Sequence, residues 1–106
     1  DLAPLRTTPF LKDSLRLTPA QVRKASPALL PCPKRTAGRG TLFTVAGGDE
    51  SAEFVRQNRL IRDAWGPAAV PVCEALPGLN HFSVLEALVE PGHRLYQLAG
   101  DLLHKR

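Results

Sequence analysis

Along the middle of the chain the apolar positions change period twice. Residues 41–46, Thr-Leu-Phe-Thr-Val-Ala, form a short β-branched and apolar run closed by Gly47-Gly48, the pattern of a strand buried on both faces. Over residues 51–65 the spacing becomes helical. Phe54, Ile61 and Trp65 share one stripe, Leu60 and Ala64 lie beside it, and Arg56, Arg59 and Arg62 fall on the polar side. Gly66-Pro67 ends that helix. Residues 70–76 return to a strand pattern, with Pro71 tolerated near the strand's beginning or at an edge. Strand, helix and strand in this order predict a βαβ unit, with parallel strands and a right-handed crossover.

After the second strand comes the turn Leu76-Pro77-Gly78-Leu79-Asn80-His81-Phe82, then a short helix predicted over 81–88 and ended near Pro91-Gly92. A last helix follows from His93, with Leu95, Leu98, Ala99, Leu102 and Leu103 on one face, and should pack on the sheet. The first 40 residues are poor in strand signals. Residues 5–17 allow short helical turns broken by Pro9. Thr18-Pro19-Ala20-Gln21 marks a helix start, with Thr18 as N-cap and Gln21 completing a capping box, and Ser26-Pro27 stops it. Residues 31–40 read as a surface loop. The chain therefore divides into a loop-rich helical segment, 1–40, and a strand-helix-strand-helix unit, 41–106. The fold class is α/β. Two parallel strands are too few for a stable sheet covered on both faces, so the unit is expected to be the end of a larger α/β domain. The opening Asp1-Leu2-Ala3-Pro4, with no Met and no targeting pattern, reads as a start inside a longer protein.

Composition narrows the classes. An apolar content of 43% with 23% charged residues in 106 is that of a globular domain rather than a disordered chain. The net charge of +4 is scattered, densest at Lys34-Arg35 with Arg39 and at Lys105-Arg106. One Trp, one Tyr and four Phe provide no basic-aromatic platform for nucleic acid. Cys32 and Cys73 belong to no close ligand pair, so no zinc site and no other metal or cofactor is expected. Cys73 reads as a small buried hydrophobe. Two cysteines without a signal peptide point to a reducing compartment, the cytoplasm. No apolar run is long enough to span a membrane, so no membrane partner is expected. Oligomeric state is open, although an exposed edge on the first strand would need a covering partner.

Candidate chemistry sits where parallel sheets build sites, at the carboxyl ends of the strands. Asp49 and Glu50 leave the first strand there and His81 leaves the second. Neighbouring strands lie about 4.8 Å apart, so a carboxylate from one loop can reach the imidazole on the other. Such a pair is the acid and base of a hydrolytic triad: the acid fixes the tautomer through one ring nitrogen, and the other nitrogen takes a proton from a serine. In α/β-hydrolases that serine stands in a G-x-S-x-G elbow, and none occurs in this chain.

The run from Val45 through Gly47-Gly48-Asp49-Glu50-Ser51-Ala52-Glu53-Phe54 to Gln57, and then Pro77-Gly78-Leu79-Asn80-His81-Phe82 before a leucine-rich helix, resembles the C-terminal part of α/β-hydrolase esterases of the arylformamidase (kynurenine formamidase) type. Asp1-Leu2-Ala3-Pro4-Leu5 and Ala25-Ser26-Pro27 resemble the segment after the sixth strand in those enzymes. The resemblance implies a serine hydrolase acting on a carboxylic ester or aryl formamide, with His81 as the catalytic histidine. A gapless alignment of Ser-Ala-Glu-Phe puts the acid at Glu50, while the family's frequent aspartate keeps the adjacent Asp49 as the alternative. The nucleophile and oxyanion segment would be carried by an upstream part of the same protein, so this chain alone is expected to be inactive. Other residues have plainer expectations: Phe54 and Trp65 in the core, Arg56 and Gln57 as surface or packing groups, Asn80 tolerating an unusual turn, His93 and His104 solvated. The rival function is a non-catalytic module, either a hydrolase-like binding piece or a basic α/β domain whose loop at 34–40 contacts an anion.

Overall fold

A parallel pair of strands, with the helix that crosses between them on one face, forms the centre of the molecule. A computed structural model describes residues 1–34 and 40–104. Most of the basic group at 34–39, and with it the anion-contact reading of the loop, lies outside the described residues, as do Lys105 and Arg106. In chain order the elements are a 3₁₀ turn (Ala3–Arg6), α1 (Lys12–Leu15), α2 (Pro19–Ala25), a second 3₁₀ turn (Pro27–Leu29), β1 (Phe43–Gly47), α3 (Ala52–Trp65), β2 (Val72–Leu76), α4 (Ser83–Ala87) and α5 (Arg94–His104). β1 and β2 pair in parallel, in a register that sets Phe43 opposite Val72 and Gly47 opposite Leu76. The α/β reading and the βαβ order hold at this level.

Alternation along the strands sorts the helices onto two faces. Thr44 and Cys73, paired across the ladder, both reach α3, where the Thr44 hydroxyl and the Cys73 thiol donate to the Asn58 carbonyl at 3.2 and 3.3 Å. Asn58 returns a bond to the Glu74 carbonyl at 3.0 Å. Glu74, one position on, turns to the opposite face and receives two hydrogen bonds from Arg94 of α5, at 3.2 and 2.7 Å. Cys73 is half-buried rather than buried, and its thiol is part of this polar seam. Pro71 precedes β2 and so removes no ladder hydrogen bond.

The first segment wraps the outer side of α3. α2 opens with the expected box, Gln21 N–H on Thr18 Oγ1 at 3.1 Å and Thr18 N–H on Gln21 Oε1 at 2.8 Å. Ser26, fully buried, accepts from Leu2 N–H at 2.8 Å. Gln57 Nε2 donates to the Asp1 carbonyl at 2.8 Å, and Trp65 Nε1 to the Leu30 carbonyl at 3.1 Å. Trp65 is half-buried under that segment.

Burial departs from expectation at β1. Only Ala46 and Gly47 are buried, with Phe43, Thr44 and Val45 half-covered, because among the described residues no strand pairs with its outer edge. Among the described residues the buried apolar ones are Val22, Ala46, Ala69, Val70, Leu76, Ala87 and Leu98, three of them alanines. The chain exposes 7488 Å², against about 5,800 Å² from the surface-mass scaling of folded monomers of this size. Phe82, Leu85 and Val89 are among the large side chains left open. No helix among the described residues is long and apolar enough to cross a membrane.

One close approach governs how the strand ends meet. A Cβ built on Gly47 would lie 2.3 Å from the Leu79 carbonyl oxygen and 3.0 Å from that of Asn80. Both are backbone atoms, so relief requires moving the whole turn. Gly47→Ala should lower stability by about 1–3 kcal/mol, the usual cost of overpacking, read as a lower urea midpoint at unchanged slope. A midpoint equal to that of the parent chain would show that the turn is free to shift.

Candidate active site

Two turns at the carboxyl end of the sheet are stitched together through their backbones. Gly47-Gly48-Asp49-Glu50 reverses the chain after β1, with Glu50 N–H donating to the Gly47 carbonyl at 3.1 Å. Leu76-Pro77-Gly78-Leu79 reverses it after β2. Proline sets the first central position and Gly78, at φ +76°, supplies the second, as a type II turn requires. Gly48 N–H then donates to the Leu76 carbonyl at 2.7 Å, and Asp49 N–H to the Leu79 carbonyl at 2.9 Å. The parallel ladder thus runs beyond the strands into the loops.

α4 is started by Asn80. Its side-chain oxygen accepts from Phe82 N–H at 2.9 Å and Ser83 N–H at 2.8 Å, while Ser83 Oγ accepts from Asn80 N–H at 2.8 Å. This reciprocal arrangement is a capping box in which serine stands for the usual Glu or Gln. It holds His81 at a defined place in the turn just before α4.

His81 Nδ1 lies 2.6 Å from Glu50 Oε1. The other carboxylate oxygen, Oε2, accepts from Gly47 N–H at 2.5 Å. An ionised carboxylate only accepts, so Nδ1 carries the proton and Nε2 is left with its lone pair in the neutral ring. The Glu50 side chain is 6% exposed and that of His81 60%. Burial alone would push the Glu50 carboxyl up. The His81 hydrogen bond, followed by the Gly47 N–H, outweighs it and holds the group below its ordinary 4.5. The imidazole is also flanked by rings: Phe54 stacks on it at 5.0 Å between centroids and 25° between planes, and Phe82 meets it edge-on at 5.7 Å and 80°.

Of the three predicted site residues, the structure brings Glu50 and His81 together. Asp49 stays exposed, and its side chain makes no hydrogen bond or ion pair among the described residues. Phe54 corrects the expectation of a core residue: it is 52% exposed. Side chains in the first turn of a helix lean toward its N-terminus, which carries the Phe54 ring over the Glu50 loop instead of onto the sheet. His93 is half-buried and caps α5, its Nδ1 accepting from Leu95 N–H at 3.2 Å and its carbonyl from Gln97 N–H at 3.1 Å. Sequence reasoning missed the capping role of Asn80, although Asn-x-x-Ser before an apolar run was available as its signal. It also missed the stacking of Phe54, for which the one available signal was the four-residue spacing from Glu50.

Family models, curated proteins and solved structures yield no match to this chain.

Glu50 contributes stability in its ionised form. Because its folded-state pKa is lowered from 4.5, the contribution is complete above that value and disappears as the pH falls through the lower folded one. The stability gap between the chain and its Glu50→Gln variant should therefore be open at neutral pH and close in acid. A gap that persists or widens on acidification would mean that the carboxylate is not held as described.

Proposed function

We propose that this chain supplies the acid and the histidine of a serine hydrolase of the α/β-hydrolase type, acting on a carboxylic ester or aryl formamide through an acyl-enzyme. The observation that supports it is the pair itself: a nearly buried carboxylate 2.6 Å from Nδ1 of an imidazole whose side chain is 60% exposed. An orienting acid belongs inside and a base that must meet substrate belongs outside. The resemblance of the two loops to arylformamidase-type esterases supports the same reading. Cys32 and Cys73, both free thiols, fit a cytoplasmic setting.

In this mechanism a serine hydroxyl from an upstream part of the same protein attacks the substrate carbonyl carbon as its proton passes to His81 Nε2. Glu50 keeps Nδ1–H engaged and stabilises the resulting imidazolium. Collapse of the tetrahedral intermediate breaks the bond to the alcohol or amine, which leaves with the proton from Nε2. Water then attacks the acyl-enzyme, again losing its proton to His81, and the acid and free serine are released. Among the described residues Glu50 is the only hydrogen-bond partner of the His81 ring, so Nε2 is open for this role.

A non-catalytic, hydrolase-like binding module is the second reading. The open apolar side chains Phe82, Leu85 and Val89 favour it, since they offer a surface on which a partner could rest. Activity separates the two. In the full gene product His81→Ala should reduce kcat toward p-nitrophenyl esters or an aryl formamide by on the order of 10⁴-fold or more, and the 106-residue chain alone should show no turnover. Full activity in the variant would exclude the hydrolase reading.

A further inference from the structure

We infer that Phe54 is a positioning residue for the His81 imidazole, fixing the plane of the ring that Glu50 holds only at one atom. The kinetic part of this inference rests on the hydrolase reading; the geometric part does not.

A single hydrogen bond from Nδ1 to Glu50 Oε1 constrains one nitrogen and leaves the ring free to swing about that contact. His81 stands on a turn and its side chain is 60% exposed, so the protein core does not limit the swing. Two rings do. Phe54 lies face to face with the imidazole, and Phe82 closes on it edge-first. The second comes from the residue next to His81 and moves with the same turn. Phe54 comes from α3, the element that also follows Glu50 directly, so acid and stacking face are presented to the imidazole as one rigid unit.

The stack is not a by-product of core packing, since Phe54 is 52% exposed. Its chemistry also suits the reaction. When Nε2 takes a proton the ring becomes a cation, and an aromatic face attracts a cation more strongly than it does a neutral ring. The contact therefore strengthens in the transition state, and its loss should fall on kcat rather than KM.

The test compares Phe54→Leu, which keeps apolar bulk without the π face, with Phe54→Tyr, which keeps the face, in the full gene product labelled at histidine. The His81 signals are assigned by their disappearance in His81→Gln. In the parent protein the His81 ring protons should be shifted upfield by the stacked ring. Phe54→Leu should return them toward free histidine and lower kcat by about 3- to 10-fold with KM nearly unchanged, while Phe54→Tyr should restore both. Unchanged ring-proton shifts in Phe54→Leu would overturn the inference whatever the activity. A raised KM at constant kcat would also overturn it, by making Phe54 a substrate contact. If the parent protein hydrolyses nothing, faster solvent exchange of the His81 Nδ1–H in Phe54→Leu than in the parent and Phe54→Tyr upholds the positioning role, and only the hydrolase reading falls; equal exchange in all three overturns it.

Discussion

The missing side chain of Gly47 is the constraint on which the candidate site depends. β1 ends where the turn after β2 crosses it, with the Leu79 carbonyl oxygen only 2.3 Å from where a Cβ would stand. That approach lets the Gly48 and Asp49 amides reach the Leu76 and Leu79 carbonyls, so two loops from separate strands behave as one body. Hydrogen-bonded loops at a strand edge are far less free than ordinary connections. Their rigidity is what allows one glutamate and one histidine, 31 residues apart in the chain, to meet at 2.6 Å.

Within that body the carboxylate is held from two directions. A buried anion is costly unless its oxygens find donors, and Glu50 gives one oxygen to its own turn through Gly47 N–H and the other to His81. The backbone donor anchors the acid independently of the histidine, and the histidine therefore meets a preset acceptor. Asn80 does for the other turn what Gly47 does for the first, using its side chain to satisfy the amides that open α4. The Nδ1 tautomer follows from the placement of the acceptor, and the exposure of the imidazole leaves its far nitrogen toward solvent.

The remainder of the fold is less self-sufficient than its site. α3 is tied to both strands through Asn58 and to the first segment through Gln57 and Trp65. Yet among the described residues no strand covers the outer edge of β1 and the buried apolar set is small, and the exposed area exceeds that of a closed monomer of this mass. An open parallel edge and bare aromatic and aliphatic side chains are features that further protein normally covers. They accord with the proposal that an upstream part of the protein completes the site.

Period and punctuation in the sequence were enough to define the βαβ order, a helix over 51–65, the Thr18–Gln21 box and the chemical types at the strand ends. These depend on neighbours within a few residues, where sterics and local hydrogen bonds dominate. Burial was not legible in the same way: Phe54 fits an apolar stripe by spacing yet stands open beside His81, and β1 has the composition of a buried strand without the cover. Nor could spacing choose between Asp49 and Glu50, which are adjacent and chemically alike. In the structure the Gly47–Glu50 turn folds the second carboxylate back against its own backbone and toward the imidazole, while Asp49 stays exposed. The turn's own backbone anchors Glu50 locally, but the imidazole that meets it comes from 31 residues further on, and only the contact between the two loops brings them together.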